Sequence, residues 1–168
     1  GWDDTVWFID ANTNNGYPNL DDIGLGIGVF VPYNNNAGSG TELDPHQIAS
    51  IEDLIYLSQT PGDLGLHFIQ VADIDFGADE TAVDWDNDGN PDGMNPAGFT
   101  PIGDFSNKFT GSYDGNEKTI SNLYATGGNW KGLFGVVDGA AISDLGLINV
   151  DISNFFNTSG ALAGQVGN

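Results

Sequence analysis

The tetrapeptide Ile120-Ser121-Asn122-Leu123 returns 22 residues later as Ile142-Ser143-Asp144-Leu145, and Gly132-Leu133-Phe134-Gly135 has a looser echo in Gly160-Ala161-Leu162-Ala163-Gly164. A period in the twenties, with short strands and glycine at the corners, is the pattern of stacked β-coils. A single coil cannot bury its own apolar side chains, so neighbours must stack and share one core, while glycine lets the backbone turn between faces. The expected fold is therefore mainly β: a β-solenoid, specifically a right-handed parallel β-helix. Periodicity alone leaves a β-sandwich with two similar strands as the alternative.

One α-helix is predicted at about residues 45–58. Asp44 suits its N-cap, Pro45 its first position and Gln47 a capping box, and Ile48, Ile51, Leu54 and Ile55 follow at helical spacing before Pro61-Gly62. Before it, residues 1–33 read as short strands and 34–44, with Asn34-Asn35-Asn36-Ala37-Gly38-Ser39-Gly40, as a loop or linker. A strand is expected from about Leu66 to Phe76, leading into an acidic loop.

Charge narrows the partners. The 168 residues carry 24 acids against three lysines (Lys108, Lys118, Lys131) and no arginine, a net charge of -21. Nucleic acid is excluded as a partner because its affinity comes largely from Lys and Arg displacing counterions from phosphates. No apolar run approaches the roughly 20 residues of a membrane span, so no membrane insertion of this segment is expected. With no cysteine, any metal staple must use oxygen ligands.

Asp84-Trp85-Asp86-Asn87-Asp88-Gly89-Asn90-Pro91-Asp92 supplies such ligands. Carboxylates fall at loop positions 1, 3, 5 and 9, Gly89 sits at the sharp turn, and Asn90 offers a carbonyl at position 7. The expectation is a Ca2+ site at Asp84, Asp86, Asp88, Asn90 and Asp92. Position 12 is Asn95 rather than a bidentate Glu, which points to the shorter Asp-rich loops of extracellular repeats and to weaker binding.

Three stretches together resemble the GLUG-motif family of bacterial and archaeal surface adhesins, which also supplies the non-catalytic repeats of IgA-specific metallopeptidases. They are the helix followed by Val71-Ala72-Asp73-Ile74-Asp75-Phe76, the run from Phe99-Thr100-Pro101-Ile102-Gly103 through Phe109 to Asn116 and Thr119 to Leu123, and the glycine-flanked Gly132-Leu133-Phe134-Gly135 with its weaker second copy. The resemblance spans roughly residues 46–168. It implies a β-solenoid module at 45–168 with the Asp-rich loop (79–95) inserted, in a secreted or cell-surface protein with structural or adhesive work. Residues 1–33 resemble the segment that closes such an array, so the chain reads as a piece of a longer one. Adjoining or equivalent modules, stacked end to end, are the expected partners, unless residues 1–33 fold back as a cap.

A catalytic reading finds little support. His46 and His67 are the only histidines and lie outside any His-Glu-x-x-His pattern, and no basic cluster suits a polysaccharide lyase. Asp73 and Asp75 share one side of a strand and read as structural; a glycosidase pair among the many aspartates is the remaining enzyme reading. The chain is therefore expected to be no enzyme. Trp2, Trp7 and Tyr17, with Trp85 and Trp130, form a candidate platform for a cell-surface glycan, and a glycan-binding module is the alternative function.

Overall fold

The computed structural model describes residues 31–77, 83, 93, 95–153 and 158–167. The chain is mainly β. Its elements run α1 (Pro32–Asn36), β1 (His46–Ile48), α2 (Ile51–Gln59), a 3-10 turn at Pro61–Asp63, β2 (His67–Gln70), β3 (Ile74–Asp75), β4 (Ser112–Asp114), β5 (Thr119–Ser121), β6 (Tyr124–Thr126), β7 (Phe134–Asp138), β8 (Ala141–Ser143), β9 (Gly146–Ile148), β10 (Asp151–Ser153) and β11 (Ala163–Gly167).

Among the described residues these strands form four small sheets, ordered β1-β2-β4-β8, β3-β5-β9, β6-β10 and β7-β11. Every pairing between these strands is parallel, which is not the pattern of an antiparallel sandwich. From β4 to β8, β5 to β9, β6 to β10 and β7 to β11, facing residues lie 27 to 29 positions apart: Tyr113 faces Ile142, Ile120 faces Leu147, Ala125 faces Ile152 and Phe134 faces Ala163. The step is 45 or 46 from β2 to β4 and from β3 to β5, between which the acidic stretch 79–95 intervenes.

That register corrects the 22-residue repeat. Ile120 and Ile142 stand in different sheets, Ile120 between Ile74 and Leu147, Ile142 beside Tyr113. What recurs is a corner. Asn122 and Asp144 both take left-handed backbone, φ 56 and 50, and Asn149 after Leu147-Ile148 does the same at φ 51. Asn and Asp tolerate this conformation better than other side chains, so β5, β8 and β9 are each followed by one and the chain turns to send the next apolar residue inward, as at the fully buried Leu123. The looser glycine echo, by contrast, is in register: Phe134 faces Ala163, which puts Gly135 opposite Gly164.

The predicted helix also shifts. It spans Ile51–Gln59 with Ser50 as N-cap, the Ser50 hydroxyl accepting from the Asp53 N–H at 3.2 Å and the Asp53 carboxylate accepting from the Ala49 N–H at 2.9 Å. His46, Gln47 and Ile48 instead pair with Phe68, Ile69 and Gln70. Tertiary pairing that buries Ile48 completely outweighs the local start signals at Asp44 and Pro45. The single strand expected over 66–76 is broken likewise: β2 and β3 belong to different sheets, with Val71, Ala72 and Asp73 as the corner between them.

The core is one cluster. Phe68, Phe109, Tyr113 and Phe134 stack inward with ring centroids 6.3 Å (Phe68–Phe109), 4.8 Å (Phe109–Phe134) and 5.7 Å (Tyr113–Phe134) apart, each ring worth about 1.5–3 kcal/mol when fully buried. Its two ends differ. Beside β1, Tyr33 covers His46 and Phe68 (centroids 4.6 and 5.4 Å), and α2 contributes the buried Leu54, Ile55 and Leu57. At the β8 to β11 end the inward-facing Ile142, Leu147, Ile152 and Ala163 are only partly buried, and Ile148, Leu162 and Val166 are exposed.

Candidate functional site

The expected calcium ligands Asp84, Asp86, Asp88, Asn90 and Asp92 lie outside the described residues, as do Trp2, Trp7, Tyr17 and Trp85. The flanks of the acidic stretch are described. Val83 is buried in the core, and Phe76 and Phe99 meet edge to face at 5.4 Å. Asn95 spends its side chain on its own turn, Oδ1 accepting from the Ala97 N–H (3.1 Å) and Nδ2 donating to the Gly98 carbonyl (2.9 Å). Among the described residues no group of three or more His, Cys, Asp or Glu comes together as a metal site.

Asp73 and Asp75 are engaged across the ladder. The Thr119 N–H and hydroxyl donate to Asp73 Oδ1 at 2.8 and 3.0 Å. Asn122 Nδ2 and the Gly77 N–H donate to Asp75 Oδ1 at 2.6 and 2.9 Å. These hydrogen bonds hold both carboxyls below the usual aspartate range. The histidines are apart in role: His46 stacks on Tyr33, while His67 Nδ1 lies 2.7 Å from Ser112 Oγ across the β2–β4 ladder.

The one Trp of the aromatic set that is described, Trp130, lines a cleft of about 240 Å³ together with Ser58, Thr100, Asp104, Asn107 and Lys131. Phe105 stacks on it, rings 5.5 Å apart and 19° from parallel, and is 62% exposed. A tight turn fixes Phe105 there: Asp104 Oδ1 accepts the N–H groups of both Ser106 and Asn107 at 2.7 Å, and the Asp104 N–H donates to the Asn107 carbonyl. Trp130 takes left-handed backbone at φ 49, where a bulky side chain costs about 1–2 kcal/mol. A Cβ on Gly164 would run into the Trp130 backbone, so only glycine fits beneath it.

Lys131 completes the cleft. Its backbone is bridged to Ser159, and partial burial pushes its ammonium below the usual lysine range. Of the three lysines, Lys108 pairs with Asp138 at 2.7 Å and Lys118 lies close enough to Asp73 to help lower its carboxyl. Lys131 has no ion pair among the described residues. The sequence singled out Trp130 but not Phe105 or Lys131; the available signal was an aromatic at the tip of an Asp-Phe-Ser-Asn turn.

Two relatives place the chain among other proteins. It is 36% identical over 134 residues to halomucin of Haloquadratum walsbyi, a match covering 77% of this chain and 1% of that protein. It is 35% identical over 102 residues to a Gly-rich membrane protein of Evansella cellulosilytica, covering 60% of this chain and 10% of the relative. The chain thus spans a small fraction of the relatives it matches. No family profile matches it, and no solved structure does. Among the described residues no helix is long and apolar enough to cross a membrane.

Proposed function

We propose that this chain is a non-catalytic structural or adhesive segment of a surface-exposed protein, folded as a β-solenoid whose turns stack at a step of 27 to 29 residues. The observation that carries the reading is the common register. Four successive strands, β4 to β7, are each followed by a parallel partner at nearly the same sequence distance, the relation that stacked turns of one coil require. The acidic stretch 79–95 is then an insertion between two turns. The GLUG-type resemblance agrees with this architecture, and the names of the relatives, halomucin and a Gly-rich membrane protein, favour the cell surface.

Cysteine pairs test the stacking. Thr126 Oγ1 and Ser153 Oγ are 2.9 Å apart on adjacent strands, so Thr126→Cys with Ser153→Cys is expected to form a disulfide on mild oxidation. Ser121→Cys with Ser143→Cys, which a 22-residue coil would align, is expected to stay reduced. Bonding of the second pair and not the first would overturn the register and the solenoid with it.

The same reading includes calcium at Asp84, Asp86, Asp88, Asn90 and Asp92, supported by the chemistry of the donor set: hard oxygens from a run of acids that would otherwise repel one another. Asn95 is already committed to its own turn. A bound ion would neutralise this run. Ion binding only to the folded chain raises stability with ion concentration, so the melting temperature is expected to rise from chelator to millimolar calcium; an unchanged melt would remove calcium from the proposal.

A further inference from the structure

We propose that the cleft lined by Trp130 and Lys131, with Phe105 stacked on the Trp130 ring beside it, is a binding site for a uronic acid unit of an acidic polysaccharide, the sugar's apolar face lying on the aromatic pair and its carboxylate on Lys131. This goes beyond the structural reading and does not depend on it.

Three independent observations meet at this place. The aromatic pair is presented outward rather than used in the core: Phe105 stands 62% exposed at the tip of a turn held by two hydrogen bonds to Asp104, and it stacks on Trp130 at 5.5 Å. Flat rings so displayed suit the C–H face of a pyranose, which is apolar and flat over about the same area. The backbone beneath is strained, Trp130 standing in left-handed conformation at φ 49, and such outliers in bulky residues concentrate at binding sites because the surroundings must enforce them. The lining is otherwise polar: Ser58, Thr100, Asn107 and Asn129 bring hydroxyl and amide side chains to the same cleft, beside Asp104.

Lys131 chooses the class of sugar. In a chain of net charge -21 the two other lysines already face acids, whereas Lys131 lines the cleft with no ion pair among the described residues. A partly desolvated ammonium, which burial pushes below the usual lysine range, gains from a carboxylate brought by a ligand. The overall negative charge repels polyanions at long range, but at physiological salt that repulsion is screened beyond about 8 Å, while a contact inside the cleft is not. A neutral pyranose would satisfy the rings and amides and leave Lys131 without a partner.

The experiment uses the full 168-residue chain at fixed calcium concentration, with tetrasaccharides of galacturonate, mannuronate and the glucuronate–N-acetylglucosamine repeat, and cellotetraose as the neutral comparison. Chemical-shift mapping and titration calorimetry are expected to show at least one uronate binding at Phe105, Trp130 and Lys131, with cellotetraose at least about tenfold weaker, the ratio that one charge-assisted contact supplies. Lys131→Gln is expected to abolish that preference. Phe105→Ala, an exposed substitution that leaves the core untouched, is expected to weaken every sugar by about tenfold. Equal binding of neutral and acidic sugars, binding elsewhere on the chain, an unaffected Lys131→Gln variant, or no shift with any uronate at millimolar concentration would each overturn the proposal.

Discussion

A methyl group on Gly135 would overlap the carbonyl oxygen of Gly103 on the adjoining segment, while one on Gly62 would meet nothing within 4 Å. Gly135→Ala is therefore expected to lower stability by about 2–4 kcal/mol in urea unfolding, and Gly62→Ala to change it by less than about 0.5 kcal/mol. Asp53 sets a different constraint. It is buried, and burial raises its carboxyl above the ordinary value although the N–H groups of Ala49 and Asn34 donate to it and Ser50 caps beside it; its charge in turn helps raise the phenols of Tyr33 and Tyr113. Between the unfolded value of 3.8 and the raised folded one, the folded chain holds a proton that the unfolded chain has lost. Stability from this group thus falls as pH rises through that window. Melting temperatures measured from neutral pH downward are expected to climb, and Asp53→Asn to climb less; equal slopes would show that Asp53 does not contribute. Asp73 and Asp75 act oppositely, their stabilisation fading as pH falls through their lowered folded values. Little of this residue-level detail was legible in the sequence. Gly135 stood out by its repeat, but nothing near Asp53 distinguishes it from Glu52 until the fold closes over it.

Among the elements, α2 depends on a cap that the sequence also contained. Ser50-Ile51-Glu52-Asp53 is a capping pattern in its own right, yet Asp44-Pro45 is the stronger local start signal, and it loses because His46 to Ile48 gain three paired partners and a buried isoleucine by going extended. Ser50→Ala is expected to cost about 1 kcal/mol, and Asp44→Ala much less, by the same unfolding assay. The strands show a similar limit. Ile120-Ser121-Asn122-Leu123 and its copy reveal how a strand ends but not which strand it lies beside, because the same left-handed Asn or Asp closes β5, β8 and β9, which lie in two different sheets. The spacing that counts, 27 to 29 residues, is carried by pairs such as Tyr113 with Ile142 and Ala125 with Ile152, whose side chains resemble each other only in being apolar.

For the molecule as a whole, the contrast between its ends gives a testable expectation about association. Among the described residues, one end is closed by Tyr33 and α2, whereas β8 to β11 are outermost in their sheets and Ile148, Leu162 and Val166 are exposed. Unpaired edges over apolar side chains favour pairing with another strand. Concentration-dependent self-association is therefore expected in sedimentation velocity, reduced in a chain carrying Ile148→Lys and Val166→Lys; identical profiles would show that this face has no such role. Mainly β character was evident from the repeat with glycine at its corners, while the cleft was not, since Trp130 and Lys131, with Phe105 stacked on Trp130, meet Asp104 only when the turn at Asp104 meets the turn before β7.

The scarcity of cations has one more effect, on digestion. A trypsin-like protease can cut only after Lys108, Lys118 and Lys131, the chain having no arginine. Each of these bonds adjoins paired backbone: Lys108 precedes Phe109, which bridges to Val137; Lys118 leads directly into β5; and Lys131 is itself bridged to Ser159. A protease must draw several residues on either side of the scissile bond into its own groove as an extended, unpaired strand, so cleavage at any of the three requires local opening of the fold first. The native chain should thus persist through long exposure to such enzymes and, once opened, yield four fragments, two of them short peptides between the three lysines.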